Sequence, residues 1–137
     1  LIYSGQEAGL DKSLSFFDKD LIFWKEHKIG ELYKKLFCLK HNNQALWNGK
    51  YGGEMVRIFN DCTDNVISFY REMNGDMVIS IINFSNKSIK VKIQSDNIEG
   101  KYLELFSDKE YILTGTNSFS LSAWGYLLFT RNESKNQ

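Results

Sequence analysis

The pattern of apolar and polar positions changes character twice along the chain. Leu1 to Ser4 is short, apolar and β-prone, and it runs through Gly5 into a polar turn. Leu10 to His27 mixes Phe16, Phe17, Ile22, Phe23 and Trp24 with Asp and Lys, without helical or strand periodicity, and predicts an ordered loop pinned by its aromatic side chains. From Lys28 to about His41, Ile29, Leu32, Tyr33, Leu36 and Phe37 fall at three- and four-residue spacing, with Lys40 in the same register. One amphipathic helix follows from that stripe. Lys34, Lys35 and Lys40 lie late in it, where cations suit the dipole, and Asn42-Asn43 closes it.

Beyond Asn48-Gly49 the period becomes two. Strands are predicted over Glu54–Asn60, Val66–Met73, Met77–Phe84, Ser88–Gln94, Lys101–Phe106, Tyr111–Thr114, Ser118–Ser122 and Trp124–Arg131. Ile89, Val91 and Ile93 alternate with Lys90 and Lys92, one face buried and one wet. Met77–Ile82 is more continuously apolar and belongs at the centre of a sheet. Asn74-Gly75 is a hairpin turn signal, and Ser85-Asn86 and Thr116-Asn117 mark further tight turns. The expected fold is mainly β: an antiparallel Greek-key sandwich of about seven to eight strands, preceded by a short strand, a loop and one amphipathic helix. The polar tail from Asn132 is expected to fray.

Composition narrows the function classes. Among 137 residues, Lys+Arg and Asp+Glu balance at 17 each, which leaves no electrostatic footprint for nucleic acid or an anionic membrane. No apolar stretch approaches bilayer length. Two cysteines are too few for a disulfide framework or a zinc site, and Cys38 reads as a small buried hydrophobe. No metal or cofactor is expected. Aromatics reach 15%, which suits sheet packing or sugar contacts, and the absence of proline leaves the turns to Gly, Asn, Asp and Ser.

The run Leu1-Ile2-Tyr3-Ser4-Gly5-Gln6-Glu7-Ala8-Gly9 resembles the eighth barrel strand motif of the alpha-amylase family. Phe16–Trp24 resembles that family's following loop, Leu32–Leu36 with Leu39-Lys40 its eighth helix, and Ala45–Gly49 its passage into the C-terminal β domain. Ala123-Trp124-Gly125-Tyr126-Leu127 resembles the closing strand. The resemblance implies residues 1–45 as the end of a (β/α)8 barrel and 46–137 as the C-terminal sandwich. Leu1-Ile2-Tyr3 then reads as the middle of a buried strand, with any export signal of a longer parent lying before it.

The family's reaction is retaining hydrolysis of α-glucosidic bonds, which uses two carboxyl groups about 5 Å apart. In the family these lie on barrel strands that would precede Leu1, so no catalytic residue carries over. Tyr3, Gly5, Gln6 and Glu7 become barrel-rim residues, with Glu7 in a supporting role. Asp18 and Asp20 fix or solvate their loop, His27 and His41 are helix-end residues, and Trp24 and Trp47 suit packing between barrel and sandwich. Trp47, Tyr51, Trp124 and Tyr126, with Tyr102 and Tyr111, are the candidates for stacking on sugar rings if exposed. Three roles follow: a structural module capping an α-glucan hydrolase, a starch-binding module, or a chain completing a barrel held on another polypeptide. The expected partners are the rest of the barrel, α-glucan, and a second copy through the apolar face of the helix.

Overall fold

The period-two region folds as nine antiparallel strands in two sheets. A computed structural model describes residues 2–131; Leu1 and the tail from Asn132 lie outside the described residues. The chain divides into two compact units, Leu1–Lys40 and His41–Gln137.

In the second unit the strands are β1 (Val56–Arg57), β2 (Phe59–Asn60), β3 (Val66–Met73), β4 (Asp76–Asn83), β5 (Ile89–Gln94), β6 (Gly100–Glu104), β7 (Lys109–Leu113), β8 (Thr116–Leu121) and β9 (Tyr126–Arg131). One sheet has the order β1-β3-β4-β9-β6-β7 and the other β2-β5-β8. The last strand, β9, returns beside β6 after β7 and β8, which closes a Greek key. The expected single strand over Glu54–Asn60 is two, because the chain changes sheets at Ile58. Val56 and Arg57 pair with β3, and the Ile58 N–H still donates to Ser68 O at 2.9 Å, but Phe59 and Asn60 pair with β5. Asn60 stabilises this corner: its buried Nδ2 donates to Ser68 Oγ at 2.8 Å, and Ser68 Oγ donates to Ile58 O.

The core lies between the sheets. Ile79 and Ile81 of β4, Val91 and Ile93 of β5, and Phe129 of β9 are fully buried. Lys90 and Lys92 are exposed, as their alternation requires. β4 is buried along nearly its whole length because β3 and β9 flank it, consistent with its apolar run. Asn74 and Gly75 join β3 to β4 with φ of 52° and 86°, the left-handed pair that a two-residue hairpin of matching twist needs.

Residues 43–53 lead into β1 as a braced segment rather than a free linker. Asn43, fully buried, accepts the Ala45 N–H on its Oδ1 at 3.1 Å and caps a short 3-10 helix, Gln44–Leu46. Asp76 accepts the Gln44 N–H at 2.8 Å, and Arg71 donates to Gly53 O at 2.8 Å and Trp47 O at 3.0 Å. A Cβ at Gly52 would collide with the Trp47 carbonyl and one at Gly53 with the backbone of Glu72, so close approach rather than φ demands glycine here.

The first unit holds a 3-10 turn, Gln6–Ala8, and the start of α1 (Lys28–Asn42). Ile2, Tyr3 and Ser4 form no strand. A parallel strand takes its ladder bonds from neighbours, and none pairs with these residues among those described. Residues 10–27 contain no helix or strand, but the aromatics do not pin them: Phe16 and Phe17 are 90% and 93% exposed, and Phe23 and Trp24 are exposed too. Asp20 does that work instead, accepting Lys12 Nζ at 2.6 Å and the Ser15 N–H at 3.0 Å. The Lys12 hydrogen bond, then that of Ser15, holds the Asp20 carboxyl below its ordinary range. No helix among the described residues is long and apolar enough to cross a membrane.

Candidate functional site

The candidate residues fall into a turn in the first unit and a set of exposed aromatics in the second. Gly5 and Gly9 bracket the turn in left-handed conformations, φ 92° and 71°, which Gly adopts without strain. Gln6 Oε1 accepts the Tyr3 N–H at 2.9 Å and faces the Tyr33 hydroxyl at 3.5 Å. Glu7 lines a shallow, open depression with Lys25, Glu26, His27, Lys28 and Glu31. Its Oε2 is buried without a hydrogen-bond partner among the described residues. The Glu7 carbonyl lies 3.0 Å from where a Cβ on Gly30 would sit, so the first turn of α1 approaches it closely. His27 Nδ1 accepts the Ile29 N–H at 3.3 Å, a side-chain cap on the helix start. The stripe residues Ile29, Leu32, Tyr33 and Leu36 are half-buried and Phe37 is exposed. No group of three His, Cys, Asp or Glu residues could hold a metal ion among the described residues.

Cys38 is exposed, contrary to its expected burial, and Leu39 takes the buried position. One residue is about 100° of rotation on a helix, so neighbours face different surroundings. Cys62 is half-buried beside Asp61, 3.4 Å from its Oδ1. Burial, then the Asp61 hydrogen bond and charge, pushes the Cys62 thiol above its ordinary range. A raised thiol pKa means less thiolate at a given pH. At about pH 8, iodoacetamide should therefore modify Cys38 before Cys62, and the rate at Cys62 should keep climbing at pH values where an ordinary thiol levels off. Peptide mass spectrometry over a pH series checks both; equal rates would contradict the assignment.

The aromatic candidates divide by burial. Tyr102 is buried, donates its hydroxyl to Met77 Sδ at 3.0 Å, and lies under the Arg131 guanidinium. Tyr111 is half-buried against Phe129. Tyr102 is closed to a sugar, which corrects its candidacy, while Tyr111 packs against the core with part of its surface accessible; alternation along a strand does not tell which face is covered. Trp47 and Tyr51 are exposed on the braced segment, with Lys50 Nζ 5.3 Å from the Tyr51 ring centre. Trp124 is 62% exposed and holds φ at 57°, in a turn where its N–H donates to Ser85 O at 2.9 Å. Tyr126 is exposed and meets Phe106 edge to face at 5.1 Å. Sequence reading overlooked Phe84, 56% exposed beside this turn; its even spacing from Ile82 beyond the end of β4 was the available signal.

Similar folds occur in solved amylase-type enzymes. A maltogenic alpha-amylase, AmyB, from Thermotoga neapolitana matches 94% of the chain with a TM-score of 0.75 at 20% identity. The likeness extends over most of this chain and part of each of these enzymes, and it is one of fold. AmyP, solved in complex with maltose, matches 81% with a TM-score of 0.64 at 16% identity. The gamma-CGTase of an alkalophilic Bacillus clarkii matches 76% with a TM-score of 0.61 at 18% identity. The chain spans 32%, 22% and 16% of these three chains. No family model matches the sequence, and no curated protein does.

Proposed function

We propose that the chain is the C-terminal part of an alpha-amylase-type glycoside hydrolase acting on starch or related α-glucans. Its β-sandwich serves as the structural domain beside the catalytic barrel, and residues 1–45 are the end of that barrel. The carrying observation is the likeness to the Thermotoga enzyme over 94% of this chain but 32% of the other, which leaves room for a barrel. The Gly5–Glu7 turn ahead of α1 sits in the order the alpha-amylase motif implies, and Glu7, with an oxygen lacking a partner among the described residues, is a supporting group at the rim of the site rather than the acid or nucleophile. Retaining hydrolysis uses a nucleophile and an acid on opposite sides of the bond, and this reading assigns both to the remainder of the barrel.

Two measurements test it. The chain alone should release no reducing ends from soluble starch. The native polypeptide that carries this sequence, sequenced by mass spectrometry, should contain a longer acidic-residue-bearing barrel region or co-purify with one. Hydrolysis by the chain alone, or a native polypeptide bounded by these residues with no barrel partner, would overturn the proposal.

A further inference from the structure

We infer that the end of the sandwich formed by β4, the turn before β9 and their flanking residues is a sugar-stacking site built on Trp124, Phe84 and Tyr126. The choice of α-glucan as its ligand rests on the function proposed above; the geometry is independent of it. In the β4–β9 ladder Ile82 lies opposite Tyr126, and the Asn83 N–H donates to Gly125 O at 2.9 Å. Beyond the end of that ladder Phe84 N–H donates to Asn65 O and Trp124 N–H to Ser85 O, so Phe84 and Trp124 both lie in the turns that flank this end of the β4–β9 pair. Phe106 backs Tyr126 edge to face. The register therefore brings four aromatic residues to one end of one sheet.

Folding alone does not account for Trp124. Its left-handed backbone costs free energy for any side chain bearing a Cβ, and burial does not repay that cost because most of the indole is in water. Yet the turn is not loose. The buried Asn83 side chain donates from Nδ2 to Lys87 O at 2.7 Å and Ser122 O at 2.8 Å, and its Oδ1 accepts the Ser85 N–H and hydroxyl. A strained, exposed, rigidly held Trp is preorganised for a ligand, since little ordering entropy remains to be lost on binding. The turns that hold it carry Ser85, Asn86 and Ser122, with Lys87 as their one charged residue. That combination of flat apolar faces with hydroxyl and amide groups and a single cation suits a pyranose, whose C–H face stacks while its hydroxyls hydrogen-bond. It does not suit an anionic membrane or a nucleic acid, which ask for clustered cations.

The test is calorimetric titration of the whole chain with maltoheptaose. Saturable binding is expected, weakened about tenfold or more in Trp124→Gly and retained in Trp124→Tyr and Trp47→Ala. Trp124→Gly should melt at the same temperature as the parent or higher, because glycine adopts that φ without strain. A purely structural Trp would give the opposite pairing, lower stability with no binding to lose. Phe84→Ser provides a second reduction in affinity should the glycine variant fail to fold. No heat at millimolar maltoheptaose, or binding lost only in Trp47→Ala, would overturn the site; a patch covered by the remaining barrel would give the first of these results. Either failure leaves the proposed family role to be decided by the native polypeptide.

Discussion

Phe129→Ala is expected to cost the sandwich about 3–5 kcal/mol, enough to remove much of a stability that for domains of this size is about 5–15 kcal/mol. The size of the effect follows from position. Phe129 is 0% exposed, on the strand that joins the two halves of the larger sheet, between β4 and β6. Its ring lies 5.1 Å from Tyr111 in the same sheet and 5.3 Å from Phe119 in the facing one, so truncation removes contacts on both sides. Neighbours anchored in opposite sheets cannot close in on the cavity without moving a strand, which places the cost at the upper end of the usual range. Ile112→Ala, on β7 of the same sheet but 74% exposed, should change stability by less than about 0.5 kcal/mol. Urea denaturation followed by far-UV dichroism separates the two. A Phe129→Ala unfolding free energy within about 1 kcal/mol of the parent's would mean that the two sheets are not held together through this ring.

Where one face of a strand is dry and the other wet, residues were legible almost one by one. Val66–Met73 occupies the expected span, Ser88–Gln94 loses only its first residue, and α1 ends at Asn42, within a residue of the expected end. The reason is that period-two or 3.6 patterning and turn chemistry act locally. The misses need long-range information. Glu54–Asn60 is β-prone but breaks period two at the apolar pairs Met55-Val56 and Ile58-Phe59, and that break does not say which sheet each half joins. The Phe16–Trp24 aromatics carry the same hydrophobicity whether buried or in water, so their composition could not predict their exposure. Tyr102 and Tyr111 were as plausible on a surface as Trp124 until the register assigned their faces. The candidate stacking site was half visible: Trp124 and Tyr126 stood out as aromatics, but the left-handed φ and the placement of Phe84 at the same end of the sheet exist only once β4 and β9 pair.

Asn83 ties the two turns at one end of that pairing, and Asn83→Ala is expected to cost roughly 2–4 kcal/mol, from several hydrogen bonds worth about 1 kcal/mol each and buried groups left unsatisfied. The side chain is 1% exposed and uses both of its functional atoms, binding the turn after β4 at Ser85 and Lys87 and the turn before β9 at Ser122. Alanine leaves the Lys87 and Ser122 carbonyls and the Ser85 N–H to find water at a protein surface, which recovers part of the loss and keeps the estimate below that for Phe129. Aspartate is nearly the same shape but lacks the two Nδ2 protons and brings a buried charge, so Asn83→Asp should destabilise at least as much as alanine at neutral pH. Its deficit should shrink as acid protonates the new carboxyl, because the neutral form is the less costly one to bury and regains a donor. Equal stability of Asn83→Asp at neutral and acid pH, relative to the parent at the same pH, would contradict this account. Because Asn83 ties the Ser85–Lys87 turn, whose Ser85 O accepts the Trp124 N–H, to Ser122 of the Trp124 turn, amide exchange of Trp124 and Gly125 should quicken in Asn83→Ala more than that of Ile79 or Ile81 in the centre of β4.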